Sequence, residues 1–228
     1  MAFRWMFLPV FLLTFLSNLT LRADNWDRFR GPNGVGISED KNIPVTFDTK
    51  SARWKVAIGG DGHSSPIVWG DRVFLQSSSP DASTRSLHCF DTKSGKELWK
   101  KSIPGTKVKF RKDSSHASAT PTTDGEAVYV PFWNGKDIIM AAYSFKGDEL
   151  WQRNLGEFVS QHGAGASPIL YKNLLIFPLD KDAFRDTNKL TGPVPNPSVL
   201  LALDKKTGNT VWERPREAVR ACYSVPFV

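Results

Sequence analysis

The chain has 228 residues, 40% of them hydrophobic and 23% charged, with a formal net charge of +7. That is enough material for a sizeable core and too apolar for a disordered chain. The one long apolar run lies at the N-terminus, which excludes a multi-span membrane protein, and two cysteines, Cys89 and Cys222, supply neither a disulfide framework nor a four-cysteine zinc site.

Residues 1–23 read as a secretory signal. Arg4 gives a positive start, Trp5 to Leu16 is an apolar stretch of signal length, and Ala23 puts a small residue before Asp24. Pro9 and a length short of the roughly 20 residues of a span argue against an uncleaved anchor. No cysteine follows the run, so a lipoprotein is disfavoured. The expectation is export to a periplasm or the exterior, with no transmembrane span after cleavage. The leader removes two cations, Arg4 and Arg22, and no acid. The remaining charges fall mostly in mixed clusters such as Asp91 to Glu97, and Lys107 to Lys112 is too short a basic stretch for a nucleic-acid groove. Nucleic acid is therefore not expected as a partner.

From residue 58 onward the chain repeats. Leu87 to Lys101 (LHCFDTKSGKELWKK), Ala141 to Arg153 (AAYSFKGDELWQR) and Leu200 to Arg214 (LLALDKKTGNTVWER) share one pattern. Each is an apolar strand, a polar turn carrying Gly, and a second strand with Trp at a fixed phase. Thr46 to Val56 (TFDTKSARWKV) reads as a weaker fourth copy of the same hairpin. The tryptophans are Trp54, Trp99, Trp151 and Trp212, at spacings of 45, 52 and 61. A second element follows each one: Ser65-Pro66, Thr120-Pro121, Ser167-Pro168 and Val225-Pro226.

Constant motifs at variable spacing mean loops of differing length on a fixed unit of four short antiparallel strands. Such units cannot bury both sheet faces alone and must stack radially, so the fold expected is an all-β propeller. The repeats run roughly over 58–101, 115–153 and 163–214, with the next starting at 222, in one repeat domain spanning 24–228. Gly95, Gly147 and Gly208 would supply the positive φ of tight hairpins. The tryptophans would dock neighbouring blades, each burying ring area worth at most about 5 kcal/mol. No segment sustains a 3.6-residue period, so little helix is expected.

On these residues the chain resembles the PQQ-like (quinoprotein-type) β-propeller repeat family. Leu203-Asp204, Thr207-Gly208 and Trp212 match the family's repeat signature fully, and Phe90-Asp91, Ser94-Gly95 and Trp99 nearly so; the third copy has Ser144 in place of Asp. The opening Trp26 to Gly36 (WDRFRGPNGVG) is similar to the start of exported planctomycete-type members. The resemblance implies seven or eight blades, so this chain would be an incomplete ring of about three blades. It would have open edges and, alone, a tendency to aggregate. The resemblance also implies three classes of role: a binding module, part of a PQQ- and calcium-dependent dehydrogenase, or a BamB-like scaffold in outer-membrane assembly. The dehydrogenase class brings an adjacent Cys-Cys pair, which this chain lacks.

Three histidines share a phase of the repeat: His63, His116 and His162 lie three, five and six residues before their prolines, and Arg220 stands six before Pro226. The segment before each Pro would lead into an innermost strand, so these four are the candidates for a polar funnel. Their spacing fits no zinc pattern, and no metal is assigned. Asp180 to Pro197 is the longest loop and a candidate contact surface. Its acids read as a solvated run, since Arg185 and Thr191 occupy the positions where a calcium loop needs Gly and Glu. There is no G-x-S-x-G elbow, no H-E-x-x-H and no phosphate loop. The expected role is thus an exported binding module without a linear catalytic signature, its partner an envelope or extracellular protein or a small ligand.

Overall fold

The computed structural model describes residues 25–228, apart from 33, 42, 110 and 183–196. The expected leader and most of the Asp180 to Pro197 loop lie outside the described residues.

Among the described residues twelve strands form three four-stranded antiparallel sheets, each a simple meander. The first blade is β1 (Ile67–Trp69), β2 (Arg72–Ser78), β3 (Thr84–Asp91) and β4 (Glu97–Pro104). The second is β5 (Thr122–Thr123), β6 (Ala127–Trp133), β7 (Asp137–Ser144) and β8 (Glu149–Glu157), and the third is β9 (Ile169–Tyr171), β10 (Leu174–Leu179), β11 (Ser198–Asp204) and β12 (Thr210–Arg216). No helix occurs among the described residues. This is the propeller architecture expected from the repeat.

The blades stack face to face because successive side chains on a strand point to opposite sides. Val128, Val130 and Phe132 of β6 pack with Phe74, Leu87 and Cys89 of the first blade. Tyr129 and Trp133 of the same strand pack with Leu175, Phe177 and Leu201 of the third. With both faces covered, every residue of β6 is buried. That is why AVYVPFW reads as a continuous apolar run instead of an alternating one.

The turn between the third and fourth strands of each blade explains the repeat chemically. Asp91 Oδ1 accepts from the amides of Lys93 and Ser94 and from the Ser94 hydroxyl, while Gly95 N donates to Asp91 O. Asp204 makes the same set with Lys206, Thr207 and Gly208. These bonds hold both carboxyls below their usual range. In the second blade the Ser144 hydroxyl takes over, accepting from the amides of Lys146 and Asp148. The missing Asp therefore costs the turn little. The glycines adopt φ of +69° at Gly95, +91° at Gly147 and +72° at Gly208.

Each of these turns is a seat for a tryptophan of the preceding unit. Trp54 Nε1 donates to Thr92 O at 2.9 Å, Trp99 Nε1 to Phe145 O at 3.0 Å and Trp151 Nε1 to Lys205 O at 2.9 Å. The indoles lie flat over the glycines: a Cβ added at Gly95, Gly147 or Gly208 would come within 2.6, 3.0 and 2.6 Å of the ring. Trp99, Trp151 and Trp212 each stand opposite a small residue of the neighbouring strand, Cys89, Ala142 and Ala202, beside a register shift repeated in all three blades. Trp212 lies against the third core cluster on the forward face of the last blade.

Three expectations need correction. Residues 46–56 form no hairpin, and Trp54 docks from a segment without strand structure. A strand needs a neighbour to take its backbone hydrogen bonds, and no described strand lies alongside this segment. Residues 217–228, where a fourth unit was expected to begin, likewise carry no strand. Asp180, Lys181 and Asp182 are not a solvated run but are buried. Asp180 is held bidentately by Arg216 at 2.7 and 3.2 Å, and Asp182 accepts from the amides of Gln161 and Ala221. The two cysteines are free thiols, Cys89 buried and pushed up to about 12 by that burial.

Gly208→Ala should destabilise the chain by about 1–3 kcal/mol, because it adds both left-handed strain and a clash with Trp151. Trp151→Phe, which removes the indole bond and keeps much of the ring, should cost about 1–2 kcal/mol. Denaturant midpoints of the two variants against the parent chain read both values.

Candidate functional site

The segment leading into β1 and the connection from β4 to β5 meet at one end of the first two blades. Asp61 exchanges both backbone bonds with Ser78 at 2.9 and 2.8 Å, which pins the segment to the end of β2. His63 N and Ser64 N both donate to Ala117 O at 3.0 Å, and His63 N also reaches Ser115 Oγ. Two glycines permit this approach: a Cβ at Gly60 would fall 2.3 Å from Ser78 O, and one at Gly62 would fall 3.1 Å from Ala117 O and Gln76 O.

The result is a cavity of about 410 Å³. Its charged and ionisable lining is Asp61, His63 and Lys112; Gln76, Ser77 and Ser115 add an amide and two hydroxyls. Both signs of charge and several hydroxyls suit a small, polar, hydroxylated ligand better than an apolar one.

Buried polar groups bolt the two blades together around this cavity. Gln76 Nε2 donates across the blade boundary to Ala119 O at 2.8 Å and Pro131 O at 3.2 Å. Arg85 is fully buried and spends its donors on carbonyls, at 2.7 Å to Trp133, 2.8 Å to Ala82 and 2.8 Å to Thr106. Burial lowers its pKa to about 10, partly offset by Asp61, and it stays cationic at neutral pH. A third tie runs along the inner strands. Ser65 N donates to Thr120 Oγ1 and Thr120 N donates to Ser167 Oγ. Thr120 and Ser167, each directly before a repeated Pro, thus present a hydroxyl to the amide of the unit behind.

The fourth histidine, which shares no phase with the other three, is bonded through both ring nitrogens. His88 Nδ1 lies 2.6 Å from Glu97 Oε1, and His88 Nε2 lies 2.7 Å from Ser77 Oγ. The three residues sit on β4, β3 and β2 of the first blade. The imidazole is stacked on Phe90 at 5.8 Å and is 3% exposed. Burial lowers its pKa, and the adjacent Glu97 opposes that shift without reversing it. Ser77 is also part of the cavity wall.

The predicted residues separate. His63 lines the cavity. His116 is half-buried, accepts from Val108 N at 3.1 Å through Nε2 and stacks on Trp133 at 6.0 Å. His162 packs edge-on against Tyr223 at 6.2 Å, whose hydroxyl meets Ser160. Arg220 is exposed on the segment after β12. Asp61, Gln76, Ser77, Arg85, His88, Glu97 and Lys112 escaped the sequence reading because they come from separate strands and loops at no fixed spacing.

A family model described as outer membrane protein assembly factor BamB matches residues 35–166. No curated protein matches the chain. Among solved structures it is similar to a europium-containing methanol dehydrogenase, with TM-score 0.59 and 16% identity over 84% of this chain and 32% of that one. It is also similar to the quinohemoprotein alcohol dehydrogenase ADHIIG from Pseudomonas putida HK5, with TM-score 0.55 and 15% identity over 84% and 26%. The quinohemoprotein alcohol dehydrogenase from Comamonas testosteroni gives TM-score 0.52 and 15% identity over 84% and 27%. The chain thus spans about a third or less of these structures, and at such identity the likeness is one of fold.

The cavity does not fit the calcium that accompanies a quinone cofactor. A hard cation wants six or more oxygen ligands with several carboxylates, whereas here a single carboxylate, Asp61, shares the lining with the Lys112 ammonium. Among the described residues no cluster of three or more His, Cys, Asp or Glu stands ready for a metal ion.

Burial depresses the pKa of both His88 and His116 below the ordinary 6.5. The unfolded chain then binds protons first, so their contribution is present above about pH 6.5 and is lost as pH falls through that value toward the folded pKa. Unfolding midpoints measured at pH 7.5, 6.5 and 5.5 should fall in that order, and the double variant His88→Gln/His116→Gln should show a flatter slope.

Proposed function

Because the chain belongs to the PQQ-like propeller family whose model is described as outer membrane protein assembly factor BamB, we propose that it works as a binding module. Its ligand is a small, polar, hydroxylated molecule held in the cavity walled by β2, the segment leading into β1 and the connection from β4 to β5. The observation that carries this is the cavity's polar lining, with Asp61, His63 and Lys112 beside Gln76, Ser77 and Ser115, its walls brought together where Gly60 and Gly62 let backbone approach backbone. Lys112 and His63 can donate, Asp61 can accept, and the serines do either.

A second role, as a docking scaffold for envelope proteins, is favoured by the family description alone. The dehydrogenase role draws only on likeness of fold. Export also belongs to this proposal. It rests on the apolar run from Trp5 to Leu16 and the small residue at Ala23; no helix among the described residues is long and apolar enough to cross a membrane.

A thermal-shift panel of sugars, polyols, hydroxy acids and short esters should find a stabilising ligand. Removing one charge-assisted contact costs about 1.5–3 kcal/mol, so His63→Ala and Lys112→Ala should each weaken that ligand tenfold or more. A panel without any stabilising compound, or variants that bind as well as the parent, would remove the cavity as the site. Expressed with its leader, the protein should recover an N-terminus at Asp24 in the exported fraction; an intact Met1 there would count against cleavage.

A further inference from the structure

We propose that Ser77 is a nucleophile, with His88 as its base and Glu97 as the residue that positions the base, and that the cavity turns over small esters by acyl transfer. This rests on the cavity being a ligand site and specifies what it does with the ligand.

The geometry carries it. A nucleophilic serine needs a base within about 2.6–3.2 Å and a third group that orients the base. Here the two separations are 2.7 Å and 2.6 Å. The direction of the hydrogen bonds follows from the groups themselves. A carboxylate can only accept, so the proton between His88 and Glu97 lies on Nδ1. A neutral imidazole carries one proton, which leaves the Nε2 lone pair facing Ser77 and the serine hydroxyl donating to it. Burial keeps this imidazole neutral, as a base must be. The ring is held by three contacts: Glu97 on one nitrogen, Ser77 on the other and Phe90 stacked on its face.

Ser77 and His88 are both buried, at 5% and 3% exposure, and Ser77 is the member of the set that reaches the cavity. Ser77 forms part of the cavity wall beside Asp61, His63 and Lys112. Gly60, another residue of that wall, comes so close that a Cβ there would sit 3.4 Å from Ser77 Oγ and 2.3 Å from Ser78 O. The Ser77 hydroxyl thus lies between its base and the Gly60 backbone, in a residue that lines the cavity. The three strands bring together residues spaced 11 and 9 apart in the chain, a pattern that matches no linear motif.

The chemistry balances without any redox partner. Ser77 Oγ attacks the ester carbonyl carbon as its proton passes to His88 Nε2. The carbon–alkoxy bond then breaks, and the alkoxide takes that proton and leaves as the alcohol. Water, deprotonated by His88, attacks the acyl-serine; the acid departs and Ser77 Oγ regains the proton.

The test uses the full chain and a fluorophosphonate, in which Ser77 Oγ displaces fluoride to form a stable phosphonyl-serine. Intact-mass and peptide analysis should find one adduct, on Ser77. Its rate should fall at least 100-fold in His88→Gln. In Glu97→Gln the maximal inactivation rate should drop tenfold or more while the half-saturating probe concentration stays unchanged, a split that loss of structure would not produce. Ser77→Ala should give no adduct. Ser77→Cys, close in size, reports through its thermal midpoint whether position 77 tolerates change. An unlabelled parent chain, an adduct elsewhere, or an equal rate in His88→Gln would overturn the proposal. A stabilising polar ligand without an adduct on Ser77 defeats acyl transfer alone; neither ligand nor adduct defeats the binding site as well.

Discussion

An indole lying on the glycine turn of the next blade is the contact on which the rest of this structure depends. It combines an apolar face that needs covering with a single N–H that needs an acceptor, and the turn offers both in one place. The carbonyl one residue beyond the Asp or Ser of the turn accepts the indole N–H, and the left-handed glycine clears the surface under the ring. Without a glycine the ring would be held off by a Cβ, and without the side-chain-capped turn the carbonyl would not be presented at a fixed height. Trp54 shows that the contact does not require a hairpin behind the tryptophan: its segment has no strand and still docks with the same bond.

Given that spacing between blades, the inner ends of the sheets come close enough for polar groups to reach across. Ser65, Thr120 and Ser167 form a chain of amide-to-hydroxyl bonds from blade to blade. Gln76 and Arg85 add longer ties to carbonyls of the second blade. Each satisfies backbone groups that would otherwise be buried without partners, at a cost of about 1–3 kcal/mol apiece. The same ties fix the two segments that wall the cavity, residues 58–63 through the Asp61–Ser78 bridge and residues 112–117 through Ala117. The cavity is therefore a consequence of blade docking and is built from rigid neighbours, as a site that must hold geometry requires.

His88 illustrates how such a site hides. In the linear pattern it is an interior residue of an apolar strand, flanked by Leu87 and Cys89, and nothing marks it apart from its neighbours. Cross-strand register sets its company: Leu75 and Lys100 stand directly opposite, while Ser77 and Glu97 approach diagonally from the two flanking strands. The register shift at Cys89/Phe90, which serves the Trp99 contact, also changes which β4 residue faces the imidazole. One irregularity thus supports both the docking of the blade and the polar relay on its other face.

Repeats of Trp, Gly-bearing turns and Ser/Thr-Pro steps determined the four-stranded unit and its antiparallel order through local turn chemistry, and the radial stacking through the same motif recurring in each successive unit. Of the four residues singled out before the repeated prolines, His63 is the one placed in the cavity wall. What only the tertiary structure decided was the company each side chain keeps. His116 turned to Trp133 and His162 to Tyr223, while Ser77, His88 and Glu97 came together across three strands. Asp180 and Asp182, acidic and beside a long loop, were drawn inside by Arg216 and by backbone amides. The physical reason is common to all of these: periodicity fixes which face of a strand a residue occupies, whereas register and the hand-over between blades fix what lies against that face.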